Sequence, residues 1–342
     1  MTKSFERPHP PVMIEEAFAD PGRIRELVRR NGPYWPTIRY VANPSELQAV
    51  GSGEKTLKVV PWFRADWAYD EALVEGAAEI LDNRRFIEAA RTLFDGEIVR
   101  PRIVYVNVMG PMGVGPAHID VPAFRGIDRA DYSVTFLHLM HRSGLFEAHR
   151  VAIATAVAWF YEGERGEFEY WPDGLSASPR RIKGPLSNRA VVGDNDVMFH
   201  RVAPIGESNL SSVEDSSSGS SVEVAPDPAR DAPLDATLDV ELLAASKGTG
   251  WCAVDRGREV RRYEDREIRV SVSWKAEVFA NEAAARIRTE HTDDLSIEGV
   301  VTALLDDLER KGSGVPRPED PTRDEFFIRA LNETYPLPMP GG

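Results

Sequence analysis

The sequence predicts a mainly β fold with flanking helices, an α+β chain built around a jelly roll or barrel. Three observations predict it. From Arg100 apolar residues alternate with a period of two, short β-like runs then follow between tight-turn residues, and apolar spacing of three and four residues gathers toward the two ends. This divides the chain into a helical or mixed region over 1–99 packed on the core, a β core over 100–280, and a helical region over 281–342.

In the first region Asp20-Pro21-Gly22 supplies an N-cap and a proline at the first helical position. Ile24, Leu27 and Val28 then share one face, and Asn31-Gly32-Pro33 stops the helix. A second helical stretch is predicted over 70–94, broken at Asp82-Asn83. Between the two lies an aromatic, proline-punctuated segment with Tyr34, Trp35, Tyr40, Trp62, Phe63 and Trp67, read as packing or as a pocket wall.

In the core, Ile103, Tyr105 and Asn107 alternate with Val104, Val106 and Val108, the pattern of a strand in a buried sheet. Residues 131–145 read as helix because Val134, Leu137, His138 and His141 recur at helical spacing. Strands are predicted over 152–161, 167–171, 189–192, 197–202, 251–254 and 267–279. Glu162-Gly163, Pro172-Asp173-Gly174 and Gly193-Asp194-Asn195 supply turns. Residues 208–221 are rich in Ser, Asp, Glu and Gly, which predicts a flexible surface insertion over about 206–250 with one short element near its end. Toward the C-terminus Ser296 caps a run with Val300, Val301, Leu304, Leu305 and Leu308. Thr322 and Glu325 form a capping-box pattern before Phe326, Phe327 and Leu331.

Composition narrows the function. The 342 residues carry a formal net charge of −14 spread along the chain, which repels phosphate backbones and anionic membrane surfaces. Neither nucleic acid nor membrane is therefore an expected partner, and a small molecule is. Cys252 is the single cysteine, so no intramolecular disulfide forms, a reducing cytoplasmic location is expected, and any metal must be held by His, Asp or Glu. Residues 1–11 are polar and proline-broken, with no apolar stretch of the kind that targets secretion.

Two histidines stand in settings that suit metal chemistry. His118 and Asp120 lie in Gly115-Pro116-Ala117-His118-Ile119-Asp120, past a strand and a glycine-rich turn, and His200 is expected to end the strand Asp196–His200. In extended or turn backbone, residues i and i+2 project to one side, so one ion can reach both His118 and Asp120. Two imidazoles and a carboxylate on a rigid sheet make a facial triad for non-haem iron(II). An H-x-D triplet by itself is weak evidence, since a turn histidine beside a turn-capping Asp looks the same. Further on, Arg269, Ser271 and Ser273 alternate with Ile268, Val270 and Val272. A guanidinium in a buried strand is costly without an anion, and a fork with a hydroxyl two residues on is shaped to grip a carboxylate.

His118-x-Asp120, then His200, then Arg269-x-Ser271, in that order on β segments, resembles the 2-oxoglutarate-dependent iron(II) oxygenase superfamily over roughly residues 100–279. The resemblance implies a double-stranded β-helix, a jelly roll flanked by helices. It also implies Fe(II) held by His118, Asp120 and His200, 2-oxoglutarate as cosubstrate on Arg269 and Ser271, and O₂, with succinate and CO₂ released as a small molecule is hydroxylated. The chain departs from the family in placing the Ser-rich insertion between the last metal ligand and the arginine. Tyr105 and Asn107, on one face of the strand leading to His118, are candidate contacts to cosubstrate or substrate. Arg125 and Trp159 are candidate substrate contacts, against blander readings as a surface arginine and a core indole. His138, His141 and His149 are read as packing or surface residues. Two other functions stay open on sequence alone: a cupin-like metalloenzyme that does not use 2-oxoglutarate, and a metal-free jelly-roll binding protein. Arg269 separates the first of these from the oxygenase, and metal binding separates the second.

Overall fold

The structure is a computed structural model that describes residues 8–41, 55–206, 233–246 and 249–337. Its centre is a large antiparallel sheet. Five long or central strands build it: β4 (Trp62–Tyr69), β6 (Ile98–Met109), β7 (Ala152–Tyr161), β10 (Leu186–Gly193) and β16 (Arg269–Phe279). The order across the sheet is β1 (Val12–Ile14), β10, β7, β16, β6, β4 and β2 (Trp35–Pro36), with the short β5 (Glu71–Ala72) hairpinned onto β4. A second, three-stranded sheet has the order β11 (His200–Val202), β8 (Phe168–Tyr170), β9 (Arg180–Ile182). The two sheets pack through Met109, Trp159, Tyr161 and Val191 against Phe168, Ile182 and Val202.

The other face of the large sheet is covered by helices from the N-terminal region. In α1 (Pro21–Arg30) the Asp20 carboxylate accepts from the Arg23 amide at 2.9 Å, and Ile24, Leu27 and Val28 are buried, as the sequence predicts. After the short α2 (Ile38–Val41), the helical stretch divides into α3 (Ala77–Leu81) and α4 (Arg84–Phe94) at the Asp82-Asn83 break, with Asn83 as N-cap of α4. Phe86 of α4 meets Trp274 of β16 with ring centroids 5.7 Å apart, and the Trp274 indole donates to the Leu81 carbonyl at 2.8 Å.

The aromatic segment of the first region supplies both packing and cavity wall, as expected: Trp62, Phe63 and Trp67 lie on β4, inside the sheet, because alternate residues Phe63 and Ala65 go to the core while Trp62 and Arg64 go to the other face. Three expectations need correction. His200 opens a strand rather than ending one. The Gly193-Asp194-Asn195 turn extends to Val197, whose amide donates to the Asp194 carbonyl at 3.0 Å, since Asp and Asn favour turns over strand pairing. The expected flexible insertion lies outside the described residues over 207–232, but its end is strand: β12 (Leu234–Ala236) pairs with β3 (Leu57–Val59), and β13 (Glu241–Ala244) with β14 (Trp251–Asp255) and β15 (Arg258–Tyr263) forms a meander. Leu242, Trp251 and Tyr263 join the main core, so this added sheet fills the chain between His200 and Arg269. Finally, the cap of the last helix is Asp324 rather than Thr322, whose hydroxyl instead donates to Asp320 at 2.7 Å.

Helices α5 (Val134–Ser143), α7 (Ile297–Arg310) and α8 (Glu325–Thr334) share a second core with Phe124, Phe146 and Tyr335. Between them, α6 (Glu282–Glu290) follows directly on β16. Among the described residues no helix is long and apolar enough to cross a membrane.

Candidate functional site

Direct partners in an antiparallel pair share a face, so the sheet register states which side chains stand together. Four rows result on the face of the large sheet away from α4. Trp62, Met109 and Arg269 form one. Arg64, Asn107, Ser271 and Trp159 form the next. Asp66, Tyr105, Ser273 and Val157 follow, then Ile103, Lys275 and Thr155. This face floors a cavity lined also by His118, Asp120, Asn195, Phe168 and His200.

The remaining wall is built by the chain after β6. Residues 112–118 run antiparallel to 200–205, with bridges Met112 to Ile205 and His118 to His200. The His118 and His200 backbones exchange both hydrogen bonds, at 3.0 and 2.9 Å, and the Asp120 amide donates to the Asn195 carbonyl at 2.8 Å. Backbone hydrogen bonds thereby bring the His118–Asp120 segment beside His200, some eighty residues on. One ligand atom from each of His118, Asp120 and His200 lies within 4.8 Å of the others, which fits a single ion.

The tautomers suit the same purpose. His118 Nδ1 lies 2.9 Å from the Pro116 carbonyl and His200 Nδ1 lies 3.0 Å from that of Met198. A carbonyl only accepts, so Nδ1 carries a proton in each ring, and Nε2 is the nitrogen left to face a metal. Phe168 stacks on His200 with centroids 5.5 Å apart. Burial, with His118 beside it, pushes the His200 imidazole down to about 4, so it is neutral near pH 7.

Asp120 is held asymmetrically. Its Oδ2 accepts from Lys275 Nζ at 2.7 Å and from the Thr155 hydroxyl at 3.3 Å, while Oδ1 lies 3.7 Å from His200 Nε2. Burial would raise its carboxyl, but the Lys275 ammonium beside it outweighs that and holds it well below the usual carboxylate range. The charged carboxylate a hard cation requires is therefore present.

Arg269 is 1 % exposed. Its Nε donates to the Gly166 carbonyl at 2.7 Å and Nη1 approaches the Met109 sulfur at 3.7 Å, while Nη2 has no partner. Gly166 has φ +70°, and a Cβ there would meet Arg269 Cδ and the Tyr161 ring at 3.1 Å, so glycine lets this carbonyl reach the guanidinium. Burial pushes the guanidinium down to about 10. A buried guanidinium without a carboxylate has an unmet need for an anion. Ser271, 2 % exposed, and Arg269 both line the cavity of the three metal-ligand candidates.

Tyr105 and Asn107 stand on that face, as the alternation of β6 predicts. The Trp62 indole donates to Asn107 Oδ1 at 3.1 Å, which orients the amide and leaves its NH₂ to donate. The Arg64 guanidinium lies 3.7 Å from the Tyr105 ring centroid. Two expected substrate contacts stand elsewhere. Arg125 forks onto Asp293 at 2.7 and 2.8 Å and does not line the cavity. Trp159, 0 % exposed, packs on Phe168 beneath the cavity. His138 and His141 lie on α5 outside the triad, and burial pushes them down to about 4 and about 3. Sequence reasoning missed Lys275, Thr155 and Asn195. Lys275 had a signal, since it continues the alternation of Arg269, Ser271 and Ser273. The other two had none.

No protein-family model matches the chain, and no curated protein matches it in sequence. Solved structures similar to it include a 2OG-Fe(II) oxygenase family oxidoreductase from Burkholderia pseudomallei, at 12 % identity over 80 % of this chain and 86 % of that one, with a TM-score of 0.40. HygX from Streptomyces hygroscopicus, solved with nickel, 2-oxoglutarate and hygromycin B, is 10 % identical over 79 % and 83 %, with a TM-score of 0.37. A prolyl hydroxylase from Trichoplax adhaerens, in complex with a hypoxia inducible factor peptide fragment, is 10 % identical over 82 % and 87 %, with a TM-score of 0.39. These values carry no residue-level correspondence, and the reading of the site rests on its own geometry.

Proposed function

We propose that the protein is an Fe(II)- and 2-oxoglutarate-dependent oxygenase that hydroxylates a small molecule, on a double-stranded β-helix formed by the two packed sheets. One observation carries this reading: the side chains of His118, Asp120 and His200 converge in the same cavity as Arg269, a buried guanidinium with an unpartnered nitrogen. The donor set of two imidazoles and one carboxylate suits iron(II) with open positions left for ligands. Iron(II) with 2-oxoglutarate and O₂ would supply oxidation of an unactivated C–H bond, with release of succinate and CO₂.

The protein's own residues bind and orient. His118 and His200 present Nε2, and Asp120 presents Oδ1. Arg269 grips the distal carboxylate of 2-oxoglutarate through its free Nη2, with the Ser271 hydroxyl beside it, and Asn107 and Tyr105 contact cosubstrate or substrate. Buried apolar walls, Phe168 among them, keep water from the reacting atoms. A small-molecule substrate fits the mixed polar and apolar lining of the cavity, and a cytoplasmic location fits the single cysteine.

The test is anaerobic addition of Fe(II) and 2-oxoglutarate, which should give a weak visible charge-transfer band that His118→Ala abolishes. Succinate formation across a panel of small molecules then finds the substrate. A correctly folded protein that binds Fe(II) but gives neither band nor succinate would overturn the cosubstrate assignment.

A further inference from the structure

The Lys275 ammonium lies 2.7 Å from Asp120 Oδ2, on a strand face otherwise turned to the cavity, and both side chains are only 14 % exposed. Lysine is an odd neighbour for a metal ligand, since its charge opposes that of a divalent ion. Thr155, the partner of Lys275 in the sheet register, adds its hydroxyl to the same oxygen at 3.3 Å. Both partners of Oδ2 come from the sheet floor. Oδ1 is the oxygen turned toward His200 Nε2, at 3.7 Å.

Resting on the metal-centre reading above, we propose that Lys275 is a positioning residue that reserves one oxygen of Asp120, and that it serves as the counter-ion of Asp120 in the metal-free protein. With Oδ2 engaged, Asp120 can offer an ion only Oδ1, so the carboxylate takes one coordination position rather than two. Without metal, a largely buried carboxylate needs a cation, and Lys275, 2.7 Å away, supplies it. Metal binding then adds a dication to a site already neutralised, so Lys275 weakens metal affinity while enforcing one-oxygen coordination.

Mn(II) titration of the full chain by calorimetry, with thermal unfolding of metal-free and Mn(II)-loaded protein, tests this without turnover. Lys275→Met should lower the melting temperature of the metal-free protein, enlarge the Mn(II)-induced rise, and tighten Mn(II) binding about tenfold on Coulombic grounds. Lys275→Arg keeps the charge and should bind Mn(II) within about twofold of the parent, because the Coulombic opposition is retained. A purely structural lysine would lower both melting temperatures equally and leave the affinity unchanged, and that result overturns the inference. If Lys275→Met does not fold, Lys275→Gln carries the same expectation and the same refutation. A parent protein that binds no Mn(II) would instead overturn the metal centre itself, so the two failures are distinct.

Discussion

Strand β16 shows two faces with the same burial and opposite chemistry. Val272 and Trp274 on one side are fully buried, and Arg269, Ser271 and Ser273 on the other are 1–2 % exposed. The first set meets α4 through Phe86 and joins the main core, where shape and dispersion are satisfied. The second set meets a cavity and leaves Arg269 Nη2 without a partner. Degree of burial therefore does not separate core from site in this molecule. What marks the second face is a charged group desolvated without compensation at the edge of a cavity, which a ligand there would complete.

The largest expected effect falls on the apolar face. Trp274→Ala should destabilise the protein by about 3–5 kcal/mol, read from urea unfolding, through the cavity it leaves and the lost bond to Leu81. Metal affinity of the protein that stays folded should be unchanged, and a parallel loss of metal binding would show that the faces are not independent. Arg269→Met reverses the pattern. It should weaken 2-oxoglutarate binding to metal-loaded protein by about 3 kcal/mol, the scale of paired charge-assisted hydrogen bonds. Stability should hold or rise, since an unpaired buried charge is removed, and a large stability loss would return Arg269 to a structural role.

An effect smaller per pH unit than either of these concerns His141, buried on α5 and 1 % exposed. Its folded value of about 3 lies below the ordinary 6.5, so below pH 6.5 the unfolded chain takes up a proton that the folded chain refuses. The stability it contributes above pH 6.5 is lost as pH falls from 6.5 toward 3, at up to about 1.4 kcal/mol per pH unit. His141→Gln should flatten the acid limb of unfolding free energy against pH by that slope; an unchanged limb would mean the ring is already charged when folded. The smallest effect is that of Ser271→Ala, expected to weaken 2-oxoglutarate by about 0.5–1.5 kcal/mol with no change in melting temperature.

How much of this was legible follows from the range over which each feature is decided. The break at Asp82-Asn83, the caps at Asp20 and Ser296, and the alternation of Tyr105 and Asn107 are set by neighbours within a few residues, and all were readable. The fate of Trp62 and Phe63 was not, because an aromatic run suits a strand or a packed loop equally until β6 lies beside it. Arg125 and Trp159, offered as substrate contacts beside blander readings as a surface arginine and a core indole, were undecidable for the same reason: Asp293, 168 positions away, pairs with the first, and Phe168 with the rest of the inner core packs on the second.

Residue type and short spacing by themselves determined the donor set, the strand faces and an arginine set in an apolar strand, since these depend on chemistry and on the two-residue repeat of a strand. Only the tertiary structure decided that His118 and His200 exchange backbone hydrogen bonds, that Arg269 is left with a free nitrogen, and that Lys275 holds Asp120. Each of those is a distance between segments remote in sequence, fixed by the register in which the sheets pair and by the packing that holds them together.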